Sequence, residues 1–160
     1  MDKDEQEAQV WLKKIKKNAF DLSKDEDLSI GLMNLISLEE HFYFSAMKTG
    51  NKAYLDMLNS IRTLRKALFK RIVKDPKGEE WCISKHLLAA SMRLMEVGTK
   101  TLEHDEKEAN FYFKAAFELH SLFFGINLKM IDIKEIPEEK QGFTSKVSII
   151  LKKIIDCCKE

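Results

Sequence analysis

Three positions break the apolar pattern of this chain with side chains able to do chemistry. Glu39 falls in the middle of a helical stripe made by Leu28, Leu32, Leu35, Phe42 and Ala46. Arg65 falls inside a second stripe, Leu58, Ile61, Leu68 and Ile72, with Arg62 at its edge. On a third, Ala109, Phe113, Ala116 and Phe123 surround His120, and Asn127 follows two turns later. Burying an isolated ionised group costs several kcal/mol even after relaxation, so Glu39 is expected to pair with one of the arginines. Two chemistries follow. The plainer one is a buried salt bridge that fixes helix register, with a hydrogen-bonded histidine nearby. The other is a polar pocket in a bundle core, a common place for small ligands.

Other motifs are weaker. A di-iron carboxylate bundle uses Glu-x-x-His pairs. The residues three before His41, His86, His104 and His120 are Leu38, Ile83, Thr101 and Phe117, so that signature is absent. Cys82 and His86, four apart, supply at most two ligands of one site, with no second pair in evidence. No metal and no cofactor is expected. No strand-turn-helix elbow carries a nucleophile and no Gly-rich loop cradles phosphate. Arg62, Lys66, Lys70 and Lys74 recur every four residues, with Arg71 and Lys77 beside them. Such a stripe suits nucleic-acid phosphates. It lacks interleaved aromatics and the chain is near neutral, so a solvated helix face is the reading favoured over nucleic-acid binding.

The elements that must position these groups read as helices. A first amphipathic helix covers about residues 4–21, within an N-terminal segment 1–22, with Ala8, Trp11, Leu12, Ile15, Ala19 and Leu22 on one face. Ser23 and Glu26 have the spacing of a capping box. The next helix runs to about Lys48 and stops at Thr49-Gly50-Asn51, and another covers about 52–74 before Asp75-Pro76-Lys77-Gly78. Trp81–Leu102 follows, then a second capping-box spacing at Asp105 and Glu108 and an aromatic-rich helix over about 106–128. Residues 129–142, with Pro137 and Gly142, read as a linker, and 143–158 as a last amphipathic helix bearing Phe143, Val147, Ile150, Leu151, Ile154 and Cys158. No window alternates like a strand. The fold expected is all-α: an up-and-down bundle of four helices over 24–128, flanked by the two terminal helices, in a single domain 1–160.

The central element is expected to be Trp81–Leu102. Trp81, Leu88, Met92, Met95 and Leu102 share one side, continued by Ile83, Leu87, Ala90, Leu94 and Val97. Ser84, Ser91 and Gly98 form a seam of small residues at heptad spacing, where neighbours approach closely. Reflection about Gly50 places Glu39 opposite Ile61 and Arg62. Reflection about Lys77 places Arg65 near Ala89, and about Asp105 places His120 at the same height. His120 is therefore expected within a helical turn of the Glu39–arginine pair.

The chain has 160 residues, 27 basic against 26 acidic, and 44% hydrophobic content, which suits one well-buried core and offers no global field toward nucleic acid or membrane. Three cysteines, two of them adjacent at Cys157 and Cys158, make no disulfide framework. With no signal-like start and no apolar run of spanning length, a reduced, cytoplasmic protein is expected. The small size, the bundle and the charged faces resemble the HEPN nuclease family in architecture. That family's Arg-x-x-x-x-His is missing here, because the residues five after Arg62, Arg65, Arg71 and Arg93 are Ala67, Lys70, Pro76 and Gly98. The resemblance implies a nucleic-acid-associated bundle without the catalytic motif. The function expected first is non-enzymatic and made through protein contacts, as a homodimer or with another protein. The aromatic-rich helix suggests self-association, since Phe111 and Leu122 lie on the opposite edge from Phe117 and Phe124. A nucleic-acid bundle and a small-ligand or metal bundle centred on Glu39, Arg65 and His120 are the alternatives.

Overall fold

The computed structural model describes residues 3–17 and 22–131, which form five helices and, among the described residues, no strand: α1 (Lys3–Lys17), α2 (Leu22–Thr49), α3 (Ala53–Ile72), α4 (Glu80–Thr101) and α5 (Glu106–Asn127). The architecture is an all-α bundle in which α2 packs on α3, α4 on α5, and the two hairpins meet mainly where α2 faces α4. The expected helix over 143–158, most of the expected linker, and Cys157 and Cys158 lie outside the described residues. No described helix is long and apolar enough to cross a membrane.

The turns explain why the hairpins form. At the end of α2 the amide of Gly50 donates to the Ala46 carbonyl at 2.8 Å, and Gly50 takes φ +68°, a left-handed conformation that glycine adopts without steric cost. Asn51 Oδ1 then accepts from the Ala53 amide at 3.0 Å and starts α3. At the other hairpin Asp105 Oδ1 accepts from the Glu108 amide at 2.9 Å, satisfying an otherwise orphaned donor of α5. The Ser23–Glu26 capping box does not form: α2 already begins at Leu22, so Ser23 sits inside its first turn.

One apolar cluster draws on all five helices and includes Ala8, Leu32, Ile36, Phe69, Leu88 and Phe123. Ala8 is fully buried, so α1, at the flank of the bundle, still contributes to this cluster. The ring of Phe69 meets that of Trp81 edge-on at 4.7 Å, joining α3 to α4. Most of these residues lie away from the two hairpin turns.

The small-residue seam of α4 is its contact line with α5. Ser84 Oγ accepts from Asn127 at 3.0 Å, Ser91 Oγ donates to the Ala116 carbonyl at 2.8 Å, and a Cβ on Gly98 would stand 2.7 Å from the Phe113 ring. Overpacking such a site typically costs about 1–3 kcal/mol. Ser91→Leu is therefore expected to lower the melting temperature clearly, while Lys100→Leu, on the exposed strip of the same helix, leaves it nearly unchanged. Equal melting curves for the two variants would mean that α4 and α5 do not pack closely along this seam.

The hairpin α4–α5 is latched at its far end. The amides of Lys129 and Met130 donate to the Ile126 and Gly125 carbonyls, a left-handed helix stop with lysine, at φ +55°, where glycine is usual. Lys129 Nζ reaches the buried Glu80 at 2.6 Å, and Glu80 also accepts from the Lys77 amide. Burial alone would raise the Glu80 carboxyl, but the Lys129 and Lys77 hydrogen bonds and charges hold it below its ordinary value. That contribution is present above the usual carboxylate range and is lost as pH falls through the lowered value. Lys129→Ala and Lys129→Gly both strand Glu80. Glycine relieves the left-handed backbone, so it should be the milder change by about 1 kcal/mol, read as a higher urea midpoint.

Candidate functional site

The α2–α3 hairpin brings Glu39 and Arg65 together. Arg65 Nε donates to Glu39 Oε1 at 2.6 Å and Nη2 donates to Oε2 at 3.2 Å, a two-pronged contact between planar groups. The side chains are 4% and 12% exposed, so the charges face little water. Arg62 sits one turn earlier and is exposed, outside this pair. Both carboxylate oxygens of Glu39 are engaged, which suits a register-fixing bridge better than a ligand-binding one.

His120 is elsewhere. Its Nε2 lies 2.8 Å from Ser29 Oγ, and its ring packs against Phe123 and Phe124. Ser29 precedes Glu39 by ten residues, roughly 15 Å along α2 at 1.5 Å per residue, so histidine and ion pair do not share a pocket. The expectation of one cluster fails for a physical reason. Height matching by reflection presumes tight turns and parallel axes. The connection between α3 and α4 leaves helical geometry between Val73 and Gly78, and its extended and left-handed residues shift one hairpin against the other.

The hydrogens at this second site can be assigned. Ser29 donates its one hydroxyl hydrogen to the Glu26 carbonyl at 2.7 Å. It must therefore accept from His120, which fixes the neutral tautomer with hydrogen on Nε2. Burial pushes the imidazole down to about 4. The nearby Glu26 carboxyl is raised, by burial first and then by Asp27. A neutral, singly bonded histidine against two phenyl rings ties α5 to α2. Asn127, expected near this group, instead bonds Ser84 and the Phe123 carbonyl. Ser29 and the Glu80–Lys129 latch escaped the sequence reading, because a serine on an apolar face and a lysine past a helix end carry no periodic signal.

Arg62, Lys66, Lys70 and Arg71 lie exposed along α3, whereas Lys74, expected to continue the row, falls beyond the helix end at Ile72, where the backbone turns extended at Val73. Cys82 is an exposed free thiol, and among the described residues no three His, Cys, Asp or Glu side chains are grouped to hold a metal ion.

A further surface appears where the core phase runs on beyond the core. On α2, steps of seven lead from Ser29 and Ile36 to Tyr43, and from Met33 through Glu40 to Met47. The first members are buried, yet Tyr43 is 49% and Met47 60% exposed. On α4, Trp81 and Leu88 face the core, while Met95 and Leu102 in the same row are 43% and 47% exposed. Midway, the Arg93 guanidinium donates to Ser37 Oγ and lies 3.6 Å from Glu40 Oε2, linking α4 to α2. Past that link, toward the turns, Tyr43, Met47, Met95 and Leu102 meet solvent, while Ala46 and Ala109 stay buried within their own hairpins. Of the row expected to make α4 central, Trp81 and Leu88 are thus covered and Met95 and Leu102 are not, while the seam at Gly98 stays closed against Phe113. Phe111 adds a separate exposed aromatic on α5, whereas Leu122 is half-buried.

Compared with known proteins, the chain matches no family model, no curated relative and no solved structure.

Proposed function

We propose that this protein works by binding protein, through the turn end of its two helical hairpins, and not by catalysis. One observation supports the reading: Tyr43, Met47, Met95 and Leu102 continue the core rows of α2 and α4 yet are exposed. Large apolar side chains exposed in this way mark interaction sites where they cluster. Methionine suits the role, since its flexible thioether adapts to a partner's shape. A reducing compartment such as the cytoplasm fits the free thiol of Cys82. The test is binding of an environment-sensitive apolar dye. Wild-type protein should bind it, and Met47→Lys with Met95→Lys should lose the signal while keeping the melting temperature. A double variant that melts early would show that these side chains belong to the core, and unchanged dye binding would place the accessible surface elsewhere.

A second reading rests on the exposed row Arg62, Lys66 and Lys70. It makes the protein a nucleic-acid-associated bundle, held by phosphate contacts. A gel shift on RNA or duplex DNA that weakens steeply with salt, and vanishes in Lys66→Glu with Lys70→Glu, would favour it over the first.

A further inference from the structure

We propose that the partner at this turn end is a second copy of the same chain, arranged about a two-fold axis so that the α4–α5 turn of each copy lies on the α3 edge of the other. The proposal rests on the protein-binding reading above and names the occupant of that surface.

Charge is what selects the partner. The α4–α5 turn is exposed and acidic: Glu103, Asp105, Glu106 and Glu108 stand against Lys107 alone, with His104 between them. The α3 edge is the converse, with Arg62, Lys66, Lys70 and Arg71 exposed and Asp56 the one acid of that helix. Arg62 and Lys70 follow Ala53, the start of α3, by 9 and 17 residues, roughly 14 to 26 Å down the helix. Acidic tip and basic edge of one copy are therefore offset along its length and leave each other unneutralised. Two copies placed end to end, overlapping by part of a helix, bring tip onto edge twice.

The apolar rows are carried by α2 and α4, the helices that join the hairpin bearing the basic edge to the hairpin bearing the acidic turn. Tyr43 and Met47 of α2 and Met95 and Leu102 of α4 occupy core phase, so a helix entering there meets side chains already in register for helix packing. In a two-fold pairing the same patch is used by both copies, which makes self-complementarity a requirement and not a coincidence. The near-zero net charge of the chain, +1 at pH 7, leaves no long-range repulsion between copies. Apolar burial supplies the affinity, and the tip-to-edge charges set the register.

Light scattering and sedimentation of the full chain across the micromolar range test this. The wild type should be a dimer at high micromolar concentration. Met47→Glu with Met95→Glu should be monomeric with unchanged helical circular dichroism, because both positions are already exposed. Reversing the edge (Lys66→Glu with Lys70→Glu) or the tip (Glu103→Lys with Glu106→Lys) should each raise the dissociation constant about tenfold. Combining all four reversals should restore it to within about threefold of wild type, since both faces of each contact are then inverted together. A monomeric wild type would overturn the pairing while leaving dye binding at the same surface as a separate result. A dimer indifferent to edge and tip reversal, or one the fourfold variant fails to restore, would overturn the arrangement as well.

Discussion

Glu39→Ala is expected to lower the unfolding free energy by about 3–5 kcal/mol, and Arg65→Ala by a similar amount. Each variant leaves one ionised partner in a site where the native side chains are 4% and 12% exposed. Water cannot replace the missing group without opening the α2–α3 interface, so most of the desolvation cost is felt. The double change Glu39→Leu with Arg65→Met removes both charges and keeps the volume. It is expected to be far milder than the sum of the single changes, as buried ion pairs replaced by apolar groups often are. Urea unfolding of the four proteins gives the coupling energy directly. Small, additive losses would mean that the pair is solvated and does not hold the register of the hairpin.

The second large effect is a loss of stability in mild acid that passes through His120. The unfolded chain binds a proton on this imidazole near the ordinary value of about 6.5, whereas the native protein resists until about 4. As pH falls through that window the unfolded state gains protons first, so stability drops. The full difference corresponds to roughly 3 kcal/mol. Glu26 acts with the opposite sign, because a raised carboxyl binds its proton more readily in the native state. Subtraction isolates the histidine. His120→Gln keeps an amide donor for Ser29 and cannot titrate, so its stability should fall less than wild type between neutral pH and about pH 4. If urea midpoints of the two proteins fall in parallel over that range, His120 is not the buried neutral group its surroundings imply.

The residues that carry these two effects were not equally legible. Glu39 and Arg65 could be paired from sequence, because a tight turn at Gly50 makes their meeting nearly a local matter. Whether Arg62 or Arg65 took the bridge was still open, and a single helical step separates the buried position from the exposed one. His120 could be recognised as a buried histidine but not assigned a partner. Its neighbour Ser29 is 91 residues away in the chain, across three connections. Any rotation or slide at the long α3–α4 connection changes which residue faces it.

By itself the sequence determined α2 to α5, the stops between them and the small-residue seam of α4. These depend on periods of three to four residues, on Gly50 and Pro76, on the Asp105 cap, and on Ser84, Ser91 and Gly98 recurring at one helical phase. All are short-range or single-helix properties, decided by backbone sterics and by which face is apolar. Only the tertiary structure decided where the core ends. Met95 and Leu88 share a row and look alike in sequence, yet one is exposed and the other buried. The difference lies in what the opposite hairpin places in front of them. That depends on how two rigid hairpins meet, and a helix's own periodicity holds no record of it.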